Sequence, residues 1–340
     1  MRNWLFDIGI LKSTLFKIPT ISIGNLAVGG TGKTPHTEFI LSVLQKTWKS
    51  GMLSRGYKRE TKGFYLADEN SDSRTLGDEP FQIHRKYPNI TVAVSEKRVQ
   101  GLKKLKEQVP DLQLVVLDDA FQHRYIQPGL SILLTDFANI YSRDMMLPSG
   151  QLREWKCGSK RADLIVVTKC PLAMTPIEMR LIETELRLDP NQLLFFSSYV
   201  YEEIEPLFPE SNPEIWTLEK IKERDASVLL VAGIVSPEPI VIQLSKYTDK
   251  IKTLFFADHH AFLPKDFNQI NGIFDSLSVS DKIILVTEKD AARLLTTPNL
   301  PENLKPYLFA LPIRVQILHD QETLFIQKIK NYVVEDTRNR

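Results

Sequence analysis

The sequence predicts an α/β protein, a parallel sheet flanked by helices with a second, smaller α/β unit after it. Three observations carry that expectation. Short, near-continuous apolar runs recur from Thr20 to Val286, as strands buried on both faces require. Charged or amphipathic stretches long enough for helices separate them. The alternation breaks down once, between Tyr201 and Asp225, where acidic residues gather with Pro206, Pro209 and Pro213, and then restarts.

Thr20-Ile-Ser-Ile-Gly24 is the first buried strand. A glycine-rich turn follows, then a helix over Pro35–Lys49, with Pro35 near its start where a missing N–H costs little. Ile90–Val94 is a β-branched strand that leads into a charged helical stretch, Glu96–Gln108. Gln113–Leu117, Leu130–Leu134 and Asp163–Val167 complete the first set of strands. In the second unit Val228–Ala232, Ile251–Phe256 and Lys282–Val286 play the same part, and Glu335–Arg340 is expected to fray. Ahead of the first strand, Trp4, Leu5, Phe6, Ile8, Leu11, Leu15 and Phe16 are mixed with Arg2, Lys12 and Lys17. This suits an interfacial helix and equally a first helix packed on the protein's own core.

Composition narrows the class. A chain of 340 residues can bury two cores, and 43% hydrophobic with 25% charged residues is globular usage. A net charge of +1 recommends no nucleic acid partner. Cys157 and Cys170 lack metal-ligand spacing and read as reduced thiols. No apolar run reaches the length of about 18 residues that spans a bilayer, and no signal-peptide pattern opens the chain.

The strongest chemical signal is Ala27-Val28-Gly29-Gly30-Thr31-Gly32-Lys33-Thr34, between a strand and a helix. Glycines there let backbone N–H groups turn toward phosphate oxygens at a helix N-terminus. Lys33 would reach the outer phosphates of ATP, and Thr34 would ligate Mg2+. Ala27 stands where the pattern usually has its first glycine. Asp118 and Asp119 end an apolar strand, where a second metal-side carboxylate belongs, and their mutual repulsion favours a cation beside them. Three weaker signals keep two readings each. Gly77-Asp-Glu-Pro80 caps a helix or presents carboxylates; Asp258-His259-His260 is a site or a hydrogen-bonded pair; Ser54-Arg-Gly-Tyr-Lys-Arg59 is a solvated basic loop or recognises an anion.

These residues, taken in order, resemble a known family. Gly24-Asn-Leu26, the Gly-Gly-Thr-Gly-Lys-Thr-Pro loop, Ser54-Arg-Gly-Tyr57, Gly77-Asp-Glu-Pro80, Asp118-Asp-Ala-Phe-Gln-His123, Leu147-Pro-Ser-Gly-Gln-Leu-Arg-Glu154, Asp258-His259 and Thr287-Glu-Lys-Asp290 follow the sequence of motifs in the tetraacyldisaccharide 4'-kinases, the lipid A 4'-kinases. The resemblance runs from about Ile8 to beyond Leu294. It implies a P-loop NTPase-like domain over residues 1–205 with a membrane-proximal N-terminus, a connection over 206–224, a smaller α/β domain over 225–312, and a return linker strand with a C-terminal helix over 313–340. A two-stranded linker would join the domains.

The activity implied is transfer of the γ-phosphoryl group of ATP to the 4'-hydroxyl of a tetraacylated glucosamine disaccharide 1-phosphate. Asp78 would be the base and His259 its partner across a cleft, so that closure assembles the site. Residues 27–34 would hold ATP, Thr34, Asp118 and Asp119 would serve Mg2+, and Arg55, Lys58, Arg59 and Arg153 would meet substrate phosphate or nucleotide. The implied enzyme is a monomer on the cytoplasmic face of the bacterial inner membrane. Two departures are expected to matter: Ala120 replaces a glycine after the paired aspartates, tolerable if its φ stays negative, and the chain begins inside the family's hydrophobic N-terminal region, leaving a shortened anchor. A GTP-hydrolysing switch protein is the first alternative, suggested by Thr287–Asp290 after a strand but opposed by Phe121 where a switch loop wants glycine. A non-catalytic, nucleotide-gated membrane adaptor is the second, opposed by the candidate base residues.

Overall fold

The apolar runs do become strands. The computed structural model describes residues 2–277 and 281–338, with β1 (Thr14–Leu15), β2 (Thr20–Asn25), β3 (Ser50–Ser54), β4 (Tyr65–Leu66), β5 (Thr91–Val94), β6 (Leu114–Leu117), β7 (Ile126–Gln127) and β8 (Leu130–Asp136) in chain order. After them come β9 (Leu164–Thr168), β10 (Leu193–Tyr201), β11 (Glu205–Pro206), β12 (Ser227–Ala232), β13 (Ile251–Phe255), β14 (Lys282–Thr287), β15 (Leu308–Leu311) and β16 (Ile313–Ile317). The chain divides into two compact units, Met1–Tyr199 with Val315–Arg340, and Val200–Arg314. It crosses between them twice, in β10 and β16, which are neighbours in one sheet.

Unit 1 is built on a nine-stranded sheet of order β16-β10-β9-β8-β2-β6-β3-β5-β4. The pairings of β2 with β6 and β8, of β3 with β5 and β6, and of β9 with β8 and β10 are parallel, while β4 runs antiparallel on the edge. Strands β2, β3, β6 and β9 are buried along their whole length, which is why their sequences are apolar without alternating. One face packs Ile21, Ile23, Met52 and Val116 against Phe39, Ile40 and Leu44; the other packs Leu53, Val115 and Leu117 against Leu102 and Leu105. The helix Glu322–Arg338 returns from the end of the chain and inserts Phe325, Ile329 and Val333 into the first of these cores. Each such side chain contributes about 1.5–3 kcal/mol by burial. The helix continues past Glu335, where fraying was expected.

Helix Lys33–Leu44 starts two residues ahead of Pro35. Pro35 still lies in the first turn, whose N–H groups have no partner within the helix, so nothing is lost by the earlier start. In the turn that follows β6, positive φ falls on Asp119 (43°), and Ala120 keeps negative φ as its substitution requires.

Unit 2 has a five-stranded sheet, β11-β15-β14-β12-β13, parallel except for β11. Its two faces carry separate cores, one around Leu229, Phe267 and Val286, the other around Val228, Leu244 and Phe309. The segment 206–224 lies inside this unit: β11 pairs with β15, and the helix Leu218–Glu223, capped by the Thr217 hydroxyl, sends Leu218 and Ile221 into the second core. Pro206 disguised the strand, being compatible with pairing only on a sheet edge. No helix among the described residues is long and apolar enough to cross a membrane.

Candidate active site

The loop 27–34 leaves the carboxyl end of β2, and Asp118 and Asp119 leave the carboxyl end of β6, its direct neighbour. A parallel sheet collects ligands at this end. The loop begins with the Ala27–Leu152 bridge and with Val28 N–H donating to the Gln151 carbonyl at 2.8 Å, so the segment around Gln151–Arg153 forms its outer wall. Asn25 Nδ2 donates to Thr31 Oγ1 at 2.7 Å, and the Thr168 hydroxyl at the end of β9 donates to the Thr31 carbonyl at 3.0 Å. Gly29 (φ 106°) and Gly32 (φ 82°) adopt conformations that favour glycine, and nothing lies within 4 Å of where a Cβ on Gly29 or Gly30 would be. The crest is open while its flanks are pinned, as a cradle for phosphate oxygens must be.

The two aspartates live in different fields. Asp118 is 3% exposed and accepts from Thr37 Oγ1 and Ser54 Oγ, both at 3.1 Å. Burial, then Glu79, then Asp119 push its carboxyl up to about 6. Asp119 is also pushed up by burial, but Lys33 at 3.8 Å and Arg153 at 3.1 Å outweigh that and hold it below the usual carboxylate range. Arg153 is oriented by a second bond to Asn25 Oδ1. The phosphate-loop lysine and the carboxylate pair are thus in direct contact, and Thr37 reaches Asp118 one turn beyond Lys33 and Thr34 on the same helix.

The other residues singled out by sequence separate into groups. Asp78, partly exposed, opens helix Asp78–Lys86 after Gly77, whose φ of 89° and close approach to the Tyr57 carbonyl leave no room for a side chain. Arg55 and Lys58 are exposed. Arg59 instead folds back, its side chain 2% exposed, to bind Glu96 at 2.6 Å along with the Gly63 carbonyl, which ties down its own loop. In unit 2, His259 (φ 61°) lies 3.2 Å from Lys289 Nζ and 3.3 Å from Arg293 Nη2, and Lys289 donates to Asp258 at 3.0 Å. His260 pairs with Asp266 at 2.8 Å and stacks on Phe256.

Arg98 and His36 escaped the sequence reading, while Glu79 and His123 lay inside quoted motifs without a role of their own. Glu79 raises the Asp118 pKa, so the Gly77–Pro80 turn faces the carboxylate pair. Arg98, 3% exposed, is lowered to about 10 by burial against the pull of Asp118 and Asp119. His123 is held down to about 4 by burial and then by Arg98, Arg2 and Arg55. His36, 1% exposed, is lowered to about 4 by burial beneath the phosphate loop. The charged partners of Glu79, Arg98 and His123, and Ser197 beside His36, lie tens of residues away, and no local spacing announces that.

The family model described as tetraacyldisaccharide-1-P 4'-kinase (LpxK) matches residues 1–333. A tetraacyldisaccharide 4'-kinase of Bacteroides thetaiotaomicron is 48% identical over 344 residues, which cover 100% of this chain and 90% of the relative. The chain belongs to the tetraacyldisaccharide 4'-kinase family. Another relative of that name, from Porphyromonas gingivalis, is 39% identical, with 97% of this chain and 92% of the relative covered. A crystal structure of LpxK from Aquifex aeolicus in complex with ATP superposes with a TM-score of 0.72 at 27% identity, covering 98% of this chain and 94% of that one.

The kinase's own residues fit Mg-ATP. The glycine crest is open, Lys33 stands at its end, and a buried carboxylate destabilised by two like charges lies beside Thr37 and Thr34's helix. A divalent cation would offset that repulsion.

Proposed function

We propose that this kinase transfers the γ-phosphoryl group of ATP to the 4'-hydroxyl of tetraacyldisaccharide 1-phosphate, giving lipid IVA in lipid A biosynthesis. The observation that carries the reading is the contact of Lys33 with Asp119 at 3.8 Å, which puts the phosphate loop and the carboxylate pair at one point. Phosphoryl transfer has a loose transition state, so positioning and charge neutralisation supply most of the catalysis. Thr34, Asp118 and Asp119 would hold Mg2+, which when bound would supply neutralisation of charge on the phosphates. Residues 27–34 hold the phosphates, and Lys33 balances charge on the outermost ones. Asp78 accepts the hydroxyl proton late in the transfer, and His259 is the second catalytic candidate. Arg55, Lys58 and Arg153 bind anionic oxygens of substrate or nucleotide; Arg59 contributes by holding their loop.

A cavity of about 740 Å³ in unit 1 is lined by Leu15, Phe121, His123, Arg124, Ile126 and Arg161, with the carboxylates Asp163 and Asp336 also in its lining. Trp4, Ile8, Ile10 and Leu15 are exposed in the same segment as Lys12 and Lys17, which supports peripheral attachment to a membrane surface; our reading is of a monomer on the cytoplasmic face of the inner membrane. In helix Arg2–Asp7 only Phe6 is buried, edge-on to Tyr125. The switch-protein alternative loses its main support, because Asp290 is fully buried and bound to Gly233, Thr287 and Arg293 rather than offered to a base.

The test is a labelled-phosphate assay with tetraacyldisaccharide 1-phosphate in detergent, comparing ATP with GTP and wild type with Lys33→Ala. A bisphosphorylated product formed with ATP by wild type alone is expected. Folded wild type that yields no product would reject the reading.

A further inference from the structure

The phosphate loop is supported from beneath by a buried histidine whose two ring nitrogens are both engaged. His36 Nδ1 lies 2.7 Å from the Gly32 carbonyl oxygen, and His36 Nε2 lies 2.9 Å from Ser197 Oγ on β10. A carbonyl oxygen only accepts, so Nδ1 carries the proton; the Nε2 lone pair of a neutral ring then accepts from the Ser197 hydroxyl. The competing acceptor for that hydroxyl, the Val167 carbonyl, is farther at 3.5 Å. The Gly32 carbonyl also receives the first helical bond, from His36 N–H at 3.2 Å. One residue therefore holds this oxygen twice. Two positions further along β10, on the same face of the strand, the Tyr199 hydroxyl occupies the space a Cβ of Gly32 would need, closing the other side.

The consequence follows from peptide geometry. In a trans peptide unit the carbonyl and the next N–H point in opposite directions. Fixing the Gly32 carbonyl toward the helix fixes the Lys33 N–H away from it, toward the space where phosphate oxygens bind at the helix N-terminus. We propose that His36, set by Ser197, is a positioning residue that locks the Gly32–Lys33 peptide in its phosphate-binding orientation and thereby sets nucleotide affinity. Acceptor affinity is not its concern.

Side-chain chemistry separates the two bonds. Asn at position 36 can keep a donor near the Nδ1 site, Gln keeps polarity only toward Ser197, and Ala keeps neither. Calorimetric titration of Mg-ADP, with KM for ATP, KM for the lipid acceptor and melting temperature measured in parallel, reads the outcome. His36→Ala and His36→Gln are expected to weaken Mg-ADP binding and raise KM for ATP by about tenfold, the scale of one well-placed hydrogen bond. KM for the lipid should stay unchanged and His36→Asn should recover most of the loss. Ser197→Ala should show a smaller loss of the same kind. Nitrogen-15 NMR of histidine-labelled wild type should show a neutral Nδ1–H tautomer, a readout that survives if the Ala variant does not fold. Wild-type Mg-ADP affinity in folded His36→Ala, Asn no better than Ala, or an Nε2–H tautomer would each overturn the proposal.

Discussion

Two aspartates stand at comparable places in the two units and do opposite work. Asp118 follows β6 of unit 1; Asp290 follows β14 of unit 2, in the first turn of helix Glu288–Thr296. Both are buried, and burial pushes both carboxyls up. Around Asp290 the Gly233 N–H (2.9 Å), the Thr287 hydroxyl (2.7 Å) and the Arg293 guanidinium (2.8 Å) answer that cost within the fold. Around Asp118 the neighbours are two hydroxyls and two further carboxylates, Glu79 and Asp119, and the cationic help, from Lys33 and the buried Arg98, is shared with Asp119. A carboxylate neutralised in place is a clasp. One left crowded by like charge is a site that a cation completes.

Breaking each side of this comparison should give opposite phenotypes. The largest effect expected is on catalysis: Asp118→Asn, like Lys33→Ala, lowers kcat by about a thousandfold or more, the scale of losing a central electrostatic group. A steady-state assay showing under tenfold loss would dismiss Asp118 from the metal role. Next is stability in unit 2. Asp290→Ala leaves Arg293 and the Gly233 N–H without this partner and should cost about 3–5 kcal/mol in denaturant unfolding, as removing one member of a buried pair does. Smaller, and of the reverse sign, is the stability of metal-free Asp118→Asn. The raised folded pKa means that Asp118 favours folding when protonated and loses that contribution as pH rises through about 6. In chelator the variant should therefore be more stable than wild type by up to about 3 kcal/mol near pH 7.5, with the gain gone by about pH 4. A pH-independent difference would show that crowding at Asp118 is not electrostatic. The exposed Arg143–Glu185 pair, 2.7 Å apart, sets the lower end of the scale: Arg143→Ala should change stability by no more than about 1 kcal/mol.

Much of this site was legible in the sequence because its signals are local. Glycines, Lys33 and Thr34 within eight positions, framed by a strand and a helix, define a phosphate loop without reference to anything distant. Asp118 and Asp119 announce themselves by ending an apolar run. What stayed hidden depends on strand order. Ser54 meets Asp118 because β3 lies beside β6, and Ser197 meets His36 because the helix that follows β2 packs on a sheet face that includes β10; neither neighbourhood is written in either segment. Arg59 shows the reverse failure. It read as a binding cation from its neighbours Arg55 and Lys58, yet Glu96, thirty-seven positions away, claims it. In the fold, edge strands such as β11 were missed for the same reason: a pair of residues with a proline carries no periodicity, only a partner.

The nucleotide-binding unit is discontinuous in the chain, and that has a consequence for biosynthesis. Residues 200–314 are contiguous and hold both cores of unit 2, so everything this unit needs has been synthesised before translation ends. Unit 1 must wait for Phe325, Ile329 and Val333, and for the Tyr332 hydroxyl that contacts both backbone groups of Thr20 at the root of β2. A premature stop codon near the 3' end of the message would thus spare the later-begun half and cripple the half made first, although the phosphate loop itself lies some three hundred codons upstream.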